Sequence, residues 1–271
     1  MHTMNPSTRR LRHRVAMLLF ALALALVSPQ HASAAQAPAA LPAVRYDASL
    51  GAIVVGDSYT DPNLAGNPSQ PGAPKTPITI PQIAAALSNP ALLQDQGGGA
   101  WLLHANLLIN QTARLDATSA SIVWLRLDST STRTPAYINV TANGGFLNIQ
   151  NIKVTSWQTI SNTVDLNYAD GRSYLLALNG GRMDVVNAEI AYLGYADGEP
   201  SGLSWRQRGT ANRPETGATG KIQNSNIHDN YFGQYSFAAY GLVVTNSEFH
   251  HNAFYGFDPH DGSTGFQVSY N

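Results

Sequence analysis

The chain has no cysteine, little charge and no long hydrophobic run, and each absence excludes something. Without cysteine there is no disulfide and no thiolate metal site. An exported form must therefore be held by its core alone. Charged residues make up only 12% of the 271 positions, against 44% hydrophobic ones. That balance belongs to a folded chain rather than a disordered one. The longest unbroken apolar run, Val15 to Val27, has 13 residues. It falls short of the roughly 20 that a membrane-spanning helix needs.

What is present starts with that run. It follows Arg9, Arg10, Arg12 and Arg14 and precedes Ala32-Ser33-Ala34, a small-x-small cleavage pattern. Basic, apolar, then small is the order of a secretory signal peptide, here residues 1–34. Its removal takes away four arginines and no carboxylate. Of 16 basic and 17 acidic residues, 12 and 17 remain, a net charge of −5. This argues against a nucleic-acid partner, which needs a basic surface. The expected location is secreted or periplasmic, with no membrane span after signal removal.

Residues 35–100 read as a lead-in and N-terminal cap. They are rich in Ala, Pro and Gly, and Thr76 to Leu87 has the pattern of a short helix with Pro81 in its first turn. From Trp101 the texture changes to short β-rich runs broken by Gly and Asn, with no long amphipathic helix.

A repeat runs through this part. NSNIHDNYFG starts at Asn224 and NSEFHHNAFYG at Asn246, 22 residues later, so that His228 maps to His250 and Asn230 to Asn252. GGFLNIQNIKVTSW (Gly144 to Trp157) and GGRMDVVNAEIAYLG (Gly180 to Gly194) have the same form, with Asn151 and Asn187 36 apart, one unit plus an insertion. GLVVTN at Gly241 is echoed by GFQVSYN at Gly265. Short strands on a period in the twenties make a solenoid. The strands are too closely spaced for crossover helices. A leucine-rich repeat lacks its leucines here, and a sandwich would not align its asparagines. The predicted fold is all-β, a single-stranded parallel β-helix over 101–271. Its asparagines suit left-handed turns between strands and can form ladders, and His228 and His250 fit a surface ladder too.

A β-helix offers a groove along one sheet rather than a pocket, and a groove suits a linear polymer. Asp197 to Gly217, carrying Trp205, Arg206, Arg208 and Arg213, reads as an inserted wall. Arginine forks pair with carboxylates and a tryptophan face stacks on a sugar ring. The plain alternative is a solvated loop. Near the C-terminus, FYGFDPHDGS (Phe254 to Ser263) crowds Asp258, His260 and Asp261 together. On a strand, Asp258 and His260 share a face and Phe257 and Pro259 point the other way. Asp261 joins them only if the chain turns, which Gly262 permits. A carboxylate beside a histidine can fix its tautomer for acid–base work, although Asp-Pro also begins many ordinary turns.

YGFDPHD (Tyr255 to Asp261) resembles the signature of mannuronan C5-epimerases, which convert β-D-mannuronate to α-L-guluronate within alginate. The similarity extends upstream to about Gly144 through DGRSYLLA and AYLGY. It is closer in layout to the periplasmic biosynthetic type than to the secreted, calcium-dependent modular type. The resemblance implies a right-handed parallel β-helix, His260 as base and Asp258 as its support. It implies Tyr255 in proton transfer opposite His260, as in the secreted type, or water in that role, as in the biosynthetic type. Tyr255 reaches the groove only if Gly256 breaks the strand alternation, since Tyr255 and Phe257 have the same parity. Asp261, Arg206, Arg208 and Trp205 are the expected substrate-binding residues. No metal or other cofactor is expected, and no motif supports a calcium site. An anionic polysaccharide is the implied partner, and no residue pattern names a protein partner for export. The chain departs from the family in reading GSTG after the motif, and in reaching Asn271 before the coil that would carry the carboxylate-neutralising arginine. The expectation is a C-terminally truncated enzyme. A polysaccharide lyase, which shares C5 proton abstraction, and a non-catalytic glycan-binding β-helix are the alternatives.

Overall fold

Four asparagines turn the chain the same way. Asn151, Asn187, Asn224 and Asn246 all adopt φ between 49° and 56°, a left-handed conformation that asparagine tolerates better than most side chains. Each donates its backbone N–H to the next turn of chain, Asn151 to Val186 O at 3.0 Å, Asn187 to Gln223 O at 2.9 Å and Asn224 to Thr245 O at 3.1 Å. The corner is thus made once per coil and stacked. The ladder continues into Tyr270, which takes φ 57° opposite Asn246. Asn271 sits one place further on, and its Oδ1 accepts the Ser247 N–H at 2.9 Å. In the echo of GLVVTN by GFQVSYN, Tyr270 rather than Asn271 therefore takes the place of Asn246.

The computed structural model describes residues 40–57, 76–130, 135–196, 201–207 and 217–271. The expected signal peptide, Arg208 and Arg213 lie outside the described residues. Three sheets are visited in turn, coil after coil. Sheet A orders Val44–Asp47, Ala52–Val55, Asn106–Ile109, Asn139–Asn143, Tyr174–Leu178, Gly202–Arg206, Phe232–Phe237 and Tyr255–Pro259. Sheet B orders Thr76–Thr79, Ala113–Thr118, Phe146–Gln150, Arg182–Val186, Thr219–Gln223, Val243–Thr245 and Gln267–Ser269. Sheet C orders Leu93–Asp95, Ala100–Leu103, Trp124–Asp128, Lys153–Gln158, Glu189–Ala191, Asn226–His228 and Glu248–His250. Successive coils pair in parallel. The antiparallel pairs are Val44–Asp47 with Ala52–Val55, Leu93–Asp95 with Ala100–Leu103, and Trp157–Gln158 with Thr163–Val164. This is a parallel β-solenoid.

Coil length varies because loops leave at the corners. Sheet B steps 36 residues from Leu147 to Met183, 37 from Met183 to Gly220, and 22 from Ile222 to Val244. Parallel stacking begins at Ala52, which pairs with Asn106, rather than at the expected residue 101. The predicted helix is present as Ile80–Leu87. Thr79 and Gln82 form a reciprocal capping box, with proline in the first turn. Ile80 and Ile83 bury into the core. Among the described residues no helix is long and apolar enough to cross a membrane, which says nothing of strands.

All three sheets turn aliphatic side chains into one core. Val140, Leu175 and Leu203 come from sheet A, Leu147, Met183 and Ile222 from sheet B, and Val154, Ile190 and Ile227 from sheet C, each with 0% exposure. Burying each such side chain contributes about 1.5–3 kcal/mol.

Trp205 belongs to this core as well, and this corrects the expectation that it lines a groove. Gly202–Arg206 is not an inserted wall but a strand of sheet A, paired with Tyr174–Leu178 and Phe232–Phe237. Leu203 and Trp205 point inward, and the Trp205 Nε1–H donates to Met183 O at 3.3 Å. The space for the indole comes from Gly220, whose missing Cβ would lie 2.9 Å from Nε1. A ring with 0% exposure cannot stack on a sugar.

Candidate active site

The last strand of sheet A, Tyr255–Pro259, carries the predicted cluster. Its register against the preceding strand aligns Phe232 with Tyr255, Gln234 with Phe257, Tyr235 with Asp258 and Ser236 with Pro259. Phe257 packs against the core, so Asp258 faces outward. Tyr255 also faces outward, with 51% exposure, despite having the parity of Phe257. The alternation breaks at Gly256, the break that a groove-facing Tyr255 requires, and Gly233 lies opposite it in the neighbouring strand. The structure thus brings Tyr255, Asp258 and His260 to one face.

Behind the strand, Gln234 has 0% exposure and its Oε1 accepts the Asp258 N–H at 3.2 Å, while its Nε2 is buried without a partner among the described residues. His260 is anchored through its N–H to Ser236 O at 2.9 Å, and its side chain is 47% exposed. The chain then turns at Gly262, φ 72°, held by Ser263 N–H to His260 O at 3.2 Å and by Ala238 N–H to Asp261 O at 2.8 Å. The turn brings Asp261 back to the imidazole. Its N–H donates to His260 Nδ1 at 2.8 Å, and its carboxylate lies 3.7 Å from the same nitrogen. Asp261, rather than Asp258, makes the carboxylate contact with His260. Asp258 shares the face without a hydrogen bond to the ring among the described residues.

Three aligned side chains extend the face toward earlier coils. The Tyr235 ring lies 5.7 Å from the His260 ring and 4.9 Å from the Arg206 guanidinium carbon. Phe237, cross-strand from Arg206, lies 6.2 Å from His260. Arg206 is therefore on the same face as His260, two strands away across Phe232–Phe237, and its Nη1 is buried without a partner among the described residues. Sequence reasoning missed Tyr235, Phe237 and Gln234. The signal was available in the alternation of Phe232–Phe237 once its register against YGFDP was known. His228 and His250 form the expected ladder on sheet C, with rings stacked at 4.9 Å and 3°. Among the described residues no group of three His, Asp or Glu side chains is placed to hold a metal ion.

No protein-family profile matches the chain. A mannuronan C5-epimerase of Pseudomonas fluorescens is 34% identical over 137 residues, which is 48% of this chain and 25% of the relative. The mannuronan C5-epimerase of Pseudomonas aeruginosa is 27% identical over 193 residues, 69% of this chain and 34% of the relative. The chain is related to the mannuronan C5-epimerases. It spans about a quarter to a third of the length of these curated relatives. The crystal structure of the periplasmic alginate epimerase AlgG superposes with a TM-score of 0.65 at 21% identity, over 79% of this chain and 46% of that one. That likeness shows that the two share a fold.

Proposed function

We propose that the chain epimerises β-D-mannuronate to α-L-guluronate at C5 within an alginate-like polymer, the reaction named for its relatives. The observation that carries the reading is the common outward face of Tyr255, Asp258 and His260, created by the break at Gly256. The C5 proton lies α to a carboxylate and is a poor acid while that carboxylate is charged. A catalyst must offset the charge, take the proton from one face of the ring and return one to the other. His260 is the base. In the neutral ring its Nδ1 accepts the Asp261 N–H, so the half-exposed imidazole must rotate out of that contact to present its basic nitrogen. Asp258 stabilises the protonated ring across the face, Tyr255 delivers the proton from the opposite side, and Asp261 binds substrate hydroxyls. Arg206 offsets the substrate carboxylate, a role that Arg208 shares by its place in the sequence. Right-handed winding, an N-terminal cap including Ile80–Leu87, and export to the periplasm or beyond belong to the same reading.

Polymannuronate incubated in heavy water tests it. Epimerisation yields guluronate signals and deuterium at C5 with chain length kept. Shortened chains with unsaturated ends would mean a lyase, and unchanged polymer a binding protein. His260→Ala should lower epimerisation by about 100-fold or more with the circular dichroism spectrum unchanged. Full activity in that variant would remove His260 from the role.

A further inference from the structure

Sheet B carries a second polar face that the proposed reaction does not use. Arg114, Phe146 and Arg182 are cross-strand neighbours in consecutive strands. The two guanidinium carbons lie 4.8 and 5.3 Å from the Phe146 ring centre. The adjacent outward column is Asp116, Asn148, Asp184 and Lys221. Arg114 Nε donates to Asp116 at 2.6 Å, and Arg182 grips both Asp184 oxygens at 2.9 Å. Asn148 donates to Asp116 at 2.9 Å. Arg114, Phe146, Asn148, Arg182, Asp184 and Lys221 line a trough of about 370 Å³, with Asp116 beside it.

We propose that this trough binds a linear anionic polysaccharide, as a holding surface separate from the candidate active site. The arginines are fixed in place by Phe146 and the aspartates, so binding an anion costs little further side-chain ordering. Their partners use only part of each guanidinium. Arg114 keeps both Nη groups, and Arg182 its Nη1, without partners among the described residues, and Lys221 makes no ion pair there. The free cationic donors sit on the first, third and fourth of consecutive strands, a span of roughly 14 Å at the usual strand spacing. A small anion can touch one of them, whereas a chain bearing regular carboxylates engages all three and gains from multivalency. Asp116, Asp184 and Asn148 beside them suit sugar hydroxyls, and the two carboxylates disfavour a densely charged polyphosphate. In a chain with only 12% charged residues, three cations around one trough is a local concentration. That the polymer is a uronan rests on the function proposed above; that it is an anionic glycan does not.

Affinity of the whole chain for polymannuronate, measured by calorimetry at two salt concentrations, tests the proposal. Lys221→Gln and Arg114→Gln should each weaken binding about three- to tenfold, and Lys221→Glu further, with thermal midpoints unchanged and the wild-type affinity falling with added salt. Unchanged affinity in all three trough variants overturns the proposal, as does equal binding of a single-stranded oligonucleotide of matching length. Weakened binding in these variants of a chain that never epimerises would uphold the trough and refute the proposed reaction.

Discussion

Asp165 shows how one buried group can give the fold a pH dependence. It has 1% exposure, and it accepts the Ser129 hydroxyl at 2.6 Å and the Asn167 N–H at 3.0 Å. Those bonds favour the carboxylate, but burial outweighs them and raises its pKa above 3.8. Arg172, with 2% exposure, lies in the same corner and donates to Gly194 O, Leu193 O and Asp229 O; burial pulls its pKa down to about 10. Since native Asp165 holds its proton to higher pH than the unfolded chain, its contribution to stability falls as pH rises through 3.8 toward the native value. Asp165→Asn removes this loss. The thermal midpoint of the variant relative to the wild type should therefore rise as pH increases from below 3.8 through the raised native value, and a flat difference would show that burial does not govern the group. Nothing in the sequence marked Asp165 or Arg172, because burial of a charge in a loop depends on neighbours several strands away. The left-handed asparagines were legible by contrast, since that backbone conformation selects a side chain directly.

Individual strands were legible where the pattern is local and misread where it is not. Asp258 and His260 could be assigned to one face from strand parity, and Tyr255 from parity plus a break at Gly256. The Asp261–His260 contact was conditional on a turn that only the structure supplies. Gly202–Arg206 looked like a charged loop because arginines surround it, although Leu203 and Trp205 alternate with Ser204 and Arg206 as in any half-buried strand. Its true partner is Gly220 on sheet B. There φ is 154°, and an added Cβ would fall 1.8 Å from Met183 O as well as near the Trp205 indole. The space is closed by backbone, which cannot yield as a flexible side chain can. Gly220→Ala should therefore destabilise the protein by about 3 kcal/mol, read from denaturant midpoints, and shift Trp205 fluorescence. Trp205→Phe, which relieves the crowding at the indole nitrogen but not at Met183 O, should rescue only part of the loss. Full rescue would locate the strain at the indole instead.

Across the whole molecule, stability comes from coil-to-coil stacking rather than from one long-range closure. Each strand in the parallel body of sheets A and B pairs with the strand before and the strand after, and the core is a row of aligned aliphatic residues. Such an array is quasi-one-dimensional, with each coil's stability set by its own packing and by its two interfaces. A coil stacked on both sides, such as the one that holds Tyr174–Leu178, therefore draws its amide protection from both neighbours. Leu175, cross-strand from Val140 on one side and Leu203 on the other, has 0% exposure. Leu175→Ala should cost about 2–5 kcal/mol. In hydrogen exchange, protection should fall most in Asn139–Asn143 and Gly202–Arg206, less in Asn106–Ile109, and least in Ala52–Val55. A uniform fall along the chain would mean that it opens as a single cooperative block, and the nearest-neighbour account would then fail.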